Sequence, residues 1–195
     1  MKVLNTQLLR HVSIVSIAIM TTFFAVEVQA VEPTKITESG VNAAQQTWCD
    51  GLVAIGKTYR DGGNYKQEAS KFIDELYDYK EGTVFFKPTL AYGKNTFRST
   101  KDGALSYFVG GNKNFPEDTG FALKKWTKVR YDNNAAENGV QIHGDVAITM
   151  GNVYFTNSKG DEVMVDKTFV FHKGKDGKLR LIVHKSALPF DPKAK

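Results

Sequence analysis

The sequence predicts an α+β fold, with N-terminal helices packed on one face of a strongly curved antiparallel sheet. Two observations predict it. Up to about Tyr79, apolar residues recur at helical spacing, as in Val41, Ala44, Trp48, Leu52, Ile55 and Tyr59. From Thr83 onward they alternate in short runs bounded by Gly, Asn and Asp. A bent sheet with helices across it forms a cone, and the mouth of a cone is a natural small-molecule site.

Residues 1–30 read as a signal peptide. Lys2 and Arg10 give a positive start, Val12 to Val26 is an apolar run, and Val28-Gln29-Ala30 resembles a cleavage site. The run is shorter than the about 20 residues of a membrane span. The expected product is exported, most simply to the periplasm, with no membrane attachment after cleavage. Residues 31–39 read as a flexible lead-in, and residues 40–195 as one domain.

The two helices are expected over Gly40–Tyr59 and Tyr65–Tyr79, separated by the turn residues Arg60-Asp61-Gly62-Gly63-Asn64. Strands follow over Thr83–Phe86, stopped by Pro88, and over Gly103–Val109, where Leu105, Tyr107 and Val109 alternate with Ser106 and Phe108. Phe115–Leu123 is a loop or one helical turn. Trp126–Tyr131 is a short strand, and Val140–Thr156 a long one bent at Gly151-Asn152. Val163–His172 and Leu179–Pro189 complete the sheet through tight turns at 157–161 and 173–178.

Composition excludes several classes. Setting aside Lys2, Arg10 and Glu27 lowers the 26 basic and 21 acidic residues to 24 and 20, a net charge of +4. The basic residues are scattered, which argues against a nucleic-acid partner. Cys49 is the single cysteine, so no internal disulfide forms; it sits among Trp48, Leu52 and Val53 as a buried thiol. There is no G-x-G-x-x-G, P-loop, G-x-S-x-G or H-E-x-x-H motif. His143, His172 and His184 fall on different strands, with His172 and His184 at opposite ends of one hairpin. A three-histidine zinc site is therefore not expected.

The last strand carries the strongest functional hint. His184 and Ser186 stand two residues apart and share a face with Ile182, while Leu181, Val183 and Lys185 share the other. Polar groups on an apolar face need hydrogen-bond partners. With Thr89 just past the Pro88 stop and Tyr107 on an apolar face, they form a hydroxyl-rich set. Such a set can hold a water and the oxygens of a small anion.

Several segments then resemble the iota-class carbonic anhydrases. They are Phe85–Ala91 (FFKPTLA), Thr96–Thr100 (TFRST), Gly103–Gly111 (GALSYFVGG), Glu117–Leu123 (EDTGFAL), Val165–Phe169 (VDKTF) and His184–Pro189 (HKSALP). That family shares the cone of nuclear transport factor 2, the SnoaL-like proteins and the kinase II association domain. The family's ending is His-His-Ser-Ser-Leu-Pro; here Lys185 and Ala187 replace its second histidine and second serine. The resemblance implies reversible hydration of carbon dioxide to bicarbonate, a carbonate dehydratase (lyase) activity. It places Thr89, Tyr107 and Ser186 around bicarbonate, with His184 beside them; an imidazole with an unperturbed pKa near 6.5 is the expected proton shuttle. Phe85, Phe108, Phe121 and Phe169 are the candidate apolar walls. No cofactor is expected, although the resemblance leaves zinc or manganese open. It also implies a homodimer. Two other readings compete: a non-catalytic binding or assembly module of the same fold, and a SnoaL-like enzyme acting on a hydrophobic ring. The latter needs Asp166 or Asp145 as an inward-facing base.

Overall fold

The computed structural model describes residues 35–135 and 139–193. The expected signal peptide lies outside them. Among the described residues, no helix is long and apolar enough to cross a membrane.

Helix α1 (Glu38–Arg60) begins where the Thr37 side chain accepts the Gly40 N–H. It starts two residues earlier than its sequence period suggests, and Ile36 before it is already buried. It buries Val41, Trp48, Cys49, Leu52 and Ile55. Helix α2 (Tyr65–Leu76) is capped by Asn64 and buries Ala69, Phe72, Ile73 and Leu76. It stops short of the expected Tyr79. Tyr77 turns extended, bridges to Leu181 and carries its ring into the core.

One expected strand is a helix. Residues Lys101–Val109 form α3. Thr100 accepts the Gly103 N–H, Asp102 sits in the first turn, and Gly110 at φ 68° ends it with its N–H on the Ser106 carbonyl. Those caps outweigh a weak alternation. Tyr107 and Phe108 are consequently neighbours on a buried helix face, not on opposite faces of a strand.

The strands are β1 (Phe85–Lys87), β2 (Trp126–Asp132), β3 (Val140–His143), β4 (Val146–Asn157), β5 (Glu162–Lys173) and β6 (Leu179–Ala187). The sheet runs β1-β6-β5-β4-β2, with β3 also paired to β4. It is mixed, not wholly antiparallel: β1 pairs parallel with β6. The segment expected as one long strand divides at Gly144-Asp145 into β3 and β4, which fold on each other as a hairpin. No break occurs at Gly151. Glycine is needed there because a Cβ would run into the Asp132 carbonyl.

Register slips once between β5 and β6, where Val170 faces Val183 and Phe171 faces Leu181. Ile182 is the extra residue of this bulge. The bulge changes the face assignment: Leu181 is buried with His184 and Ser186, and Ile182 is not. Lys185 points outward, as the alternation predicts. Aromatic rings from all three helices fill the interior against Phe155, Phe169 and Phe171.

Candidate active site

β1 positions the first hydroxyl. Phe86 is buried and lies beside His184, while Lys87 lies beside Lys185. Pro88 has no N–H and ends the strand. The chain then delivers Thr89 to Ser186, whose hydroxyl oxygens are 2.7 Å apart. Ser186 also donates to the Asp166 carbonyl at 3.3 Å. Since a serine has one proton to give, Thr89 is the donor of the shorter bond.

α3 brings the third hydroxyl. Tyr107 accepts the Leu90 N–H at 3.4 Å, and the Thr89 hydroxyl faces it as well. Its ring stacks on Phe121 at 5.5 Å and meets the edge of Phe86. Burial raises the Tyr107 phenol well above its ordinary range, against the pull of the Leu90 N–H. It is therefore a neutral hydrogen-bond donor and not a base.

Beside Tyr107 lies a cavity of about 30 Å³ lined by Leu90, Glu117, Asp118, Thr119, Phe121 and Lys124. That is room for one or two water-sized molecules. A drug-sized ring compound needs at least about 300 Å³. Clefts of about 420–440 Å³ do exist, but their linings include none of Thr89, Tyr107, His184 and Ser186.

The back wall is charged and fully paired. Arg98 is completely buried and binds Asp118 at 2.8 Å and Glu117 at 3.2 Å, with a further bond to the Asn95 carbonyl. Ser106 donates to Asp118 at 2.7 Å. Arg98 lies over the Phe115 ring at 4.3 Å. These contacts tie the loop around 115–121 to α3, and so hold the cavity's shape. They also occupy both carboxylates that line it.

His184 sits differently from a free shuttle. It is 2% exposed, and both ring nitrogens are engaged. Nδ1 is 2.9 Å from the Tyr77 hydroxyl, and Nε2 is 2.9 Å from the Lys167 amine. Its ring stacks on Phe86 at 4.3 Å and meets Phe169 edge-on at 4.7 Å. Burial above all, and then the neighbouring Lys167, hold its pKa well below the ordinary value. His184 is thus a neutral core group behind Phe86.

Lys167 is the residue that the sequence reading passed over. It is 2% exposed, 4.7 Å from the Trp48 ring centroid and 5.5 Å from that of Phe169. Burial brings its pKa down to about 7. The signal was available: β5 alternates Val165, Lys167, Phe169 and Phe171 on its inward face.

Of the expected apolar walls, Phe121 lines the cavity, Phe108 and Phe169 belong to the core, and Phe85 is 70% exposed. The histidines are apart: His143 is exposed, His172 pairs with Asp78, and His184 faces Phe169 across the sheet. Among the described residues no group of three or more His, Cys, Asp or Glu is placed to hold a metal ion. Asp166 binds Lys185 at 2.6 Å on the outer side, and Asp145 is exposed, so neither is an inward base.

Known proteins of one family resemble this chain over most of its length. The family model described as metal-independent carbonic anhydrase matches residues 39–188. The chain is 51% identical over 158 residues to a metal-independent carbonic anhydrase from Nostoc sp., spanning 80% of this chain and 75% of that protein. It is 52% identical to a crystal structure of a cyanobacterial iota-carbonic anhydrase complexed with bicarbonate. That match has a TM-score of 0.77 over 80% of this chain and 94% of the other. A calmodulin-dependent kinase II association-domain structure from Xanthomonas campestris, 23% identical with a TM-score of 0.52, covers 85% and 95% and shares the fold.

Proposed function

The chain belongs to the metal-independent carbonic anhydrases, and from that premise we propose that Thr89, Tyr107 and Ser186 are its reaction site. The enzyme is a lyase that interconverts carbon dioxide and bicarbonate. One observation carries the site assignment: Thr89 meets Ser186 and faces Tyr107, and Tyr107 lines a cavity of about 30 Å³.

Hydration requires three things: an oriented water, donors for the oxygen that gains charge, and a proton acceptor. Thr89 and Ser186 spend their protons on Ser186 and the Asp166 carbonyl, so their oxygen lone pairs are what they offer the water. Tyr107 accepts from Leu90 and keeps its own proton free to donate. Aimed at the developing bicarbonate oxygen, such a donor acts as an oxyanion hole does, and removing one costs about 10²–10³ in rate. Phe86 and Phe121 keep the surroundings apolar, which strengthens these bonds. His184 acts on this site from behind, by packing against the Phe86 ring that meets Tyr107. It is a positioning residue.

A chelator-treated sample assayed for carbon dioxide hydration by stopped flow tests the reading. Activity well above buffer is expected without added metal; a rate equal to buffer, restored only by zinc or manganese, contradicts it.

Export to the periplasm and pairing into a homodimer belong to the same proposal. The first is supported by the pattern of residues 1–30. The second is supported by Phe85 and Met150, which leave apolar surface on the outer side of the sheet. Sedimentation of the purified protein distinguishes monomer from dimer.

A further inference from the structure

The hydroxyl site has no evident base. Tyr107 is held neutral, Glu117 and Asp118 are tied to Arg98, and both nitrogens of His184 are engaged. The proton that leaves water must still be accepted.

Hydrogen-bond accounting in the core identifies an acceptor. The Trp48 indole N–H can only donate, and it donates to the Tyr77 oxygen at 2.9 Å. Tyr77 is itself 1% exposed, so its own proton needs a partner, and its other hydrogen-bond contact is His184 Nδ1. His184 therefore accepts at Nδ1 and carries its proton on Nε2. That proton points at Lys167 Nζ. An ammonium has no lone pair, so Lys167 must be an uncharged amine. The surroundings agree. Its amine lies among the Trp48, Phe155 and Phe169 rings, and the described ion pairs give it no carboxylate partner. Arg98, equally buried, has two carboxylates and keeps its charge.

The amine is also well placed. Lys167 is the direct cross-strand partner of Ser186, and both side chains are buried on the inner face. Facing residues of an antiparallel pair have Cβ atoms about 4.5–5.5 Å apart. A four-carbon stem rooted there can swing its amine from His184 toward the Ser186 hydroxyl.

We propose that Lys167 is the proton acceptor of the hydration reaction, its uncharged amine taking the proton that water loses beside Ser186. This rests on the site proposed above. The water oxygen bonds to the carbon of carbon dioxide, and one C=O π pair moves onto its oxygen. The water proton moves to Lys167 Nζ, leaving bicarbonate and an ammonium. The Trp48 face stabilises that ammonium until it passes its proton to buffer. The titratable groups around it do not compete. Cys49 on α1 is pushed up to about 12, Tyr131 on β2 is raised by burial, His184 on β6 is held neutral, and Asp166 faces the outer side.

The test is the pH–rate profile of the full chain and of Lys167→Met, which fills the same space without an amine. The wild type is expected to gain activity through an inflection near pH 7. Lys167→Met should lose that inflection and at least tenfold in kcat. Unchanged kcat and an unchanged profile in Lys167→Met overturn the proposal while leaving the hydroxyl site standing. A wild type without turnover removes the site reading and this proposal with it. Where Lys167→Met does not fold, the wild type decides: titration of the Lys167 13Cε resonance with a midpoint near 7 supports the proposal. A midpoint above 9 overturns it.

Discussion

Ser186 and His184 are two residues apart on one strand and share one face, yet their surroundings are opposite. Ser186 meets the Thr89 hydroxyl, which faces Tyr107 beside a small cavity. His184 is enclosed by Tyr77, Lys167 and the rings of Trp48, Phe86 and Phe169, and its hydrogen-bonding capacity is exhausted. The first cluster keeps the Tyr107 proton unspent, which is what a substrate needs. His184 keeps nothing unspent, which is what a core needs. The comparison teaches that parity assigns a face but not a role. The role follows from which hydrogen bonds remain unspent.

The comparison breaks first at the hydroxyl cluster. Tyr107→Phe removes the unspent donor and Ser186→Ala the oxygen that holds Thr89, and kcat/KM should fall about 10²–10³-fold for each. Thermal melts should show both variants folded. Stopped-flow rates equal to wild type would move the site elsewhere.

The buried cluster should answer in stability. In the unfolded chain Lys167 keeps its ordinary pKa of 10.5, against about 7 when folded. Between those values the unfolded state binds more protons, so stability rises with pH. The full gap is worth on the order of 4–5 kcal/mol. His184, lowered from 6.5, adds a slope of the same sign at more acid pH. Denaturant unfolding of wild type and Lys167→Met, from pH 6 to 10, should show a slope that the variant lacks. Parallel curves would mean a lysine charged in the core.

Tyr77→Phe sharpens the comparison further. It strands the Trp48 N–H and His184 Nδ1, at a cost of about 1–3 kcal/mol each. Chemical denaturation should show that loss, while the hydration rate changes far less than in Ser186→Ala.

The smallest effect is expected where the chain departs from its family's ending. Lys185 is outward and bound to Asp166. Lys185→His should alter kcat/KM by no more than about twofold, the scale of a surface substitution.

Much of this was legible in the sequence. The two long helices, the hairpin strands and the shared face of His184 and Ser186 follow from period, turn residues and alternation. Thr89 and Tyr107 joined them through matched segments, since no spacing links residues so far apart in the chain. α3 was missed because nine residues of weak alternation hid its Thr100 cap and Gly110 stop. The bulge at Ile182 was invisible because one added residue leaves no mark in composition. Lys167 was passed over because lysine is ordinarily a surface residue, although its place in an apolar row was readable. The direction of the His184 ring was not, since it depends on where Tyr77 leaves α2.

The most direct test of the hydroxyl site is a crystal structure of the metal-free protein soaked with bicarbonate. The account predicts a planar anion within hydrogen-bonding distance of Thr89 Oγ1, Ser186 Oγ and Tyr107 Oη. An anion bound instead in the cleft beside His172, or held by a metal ion, would contradict it.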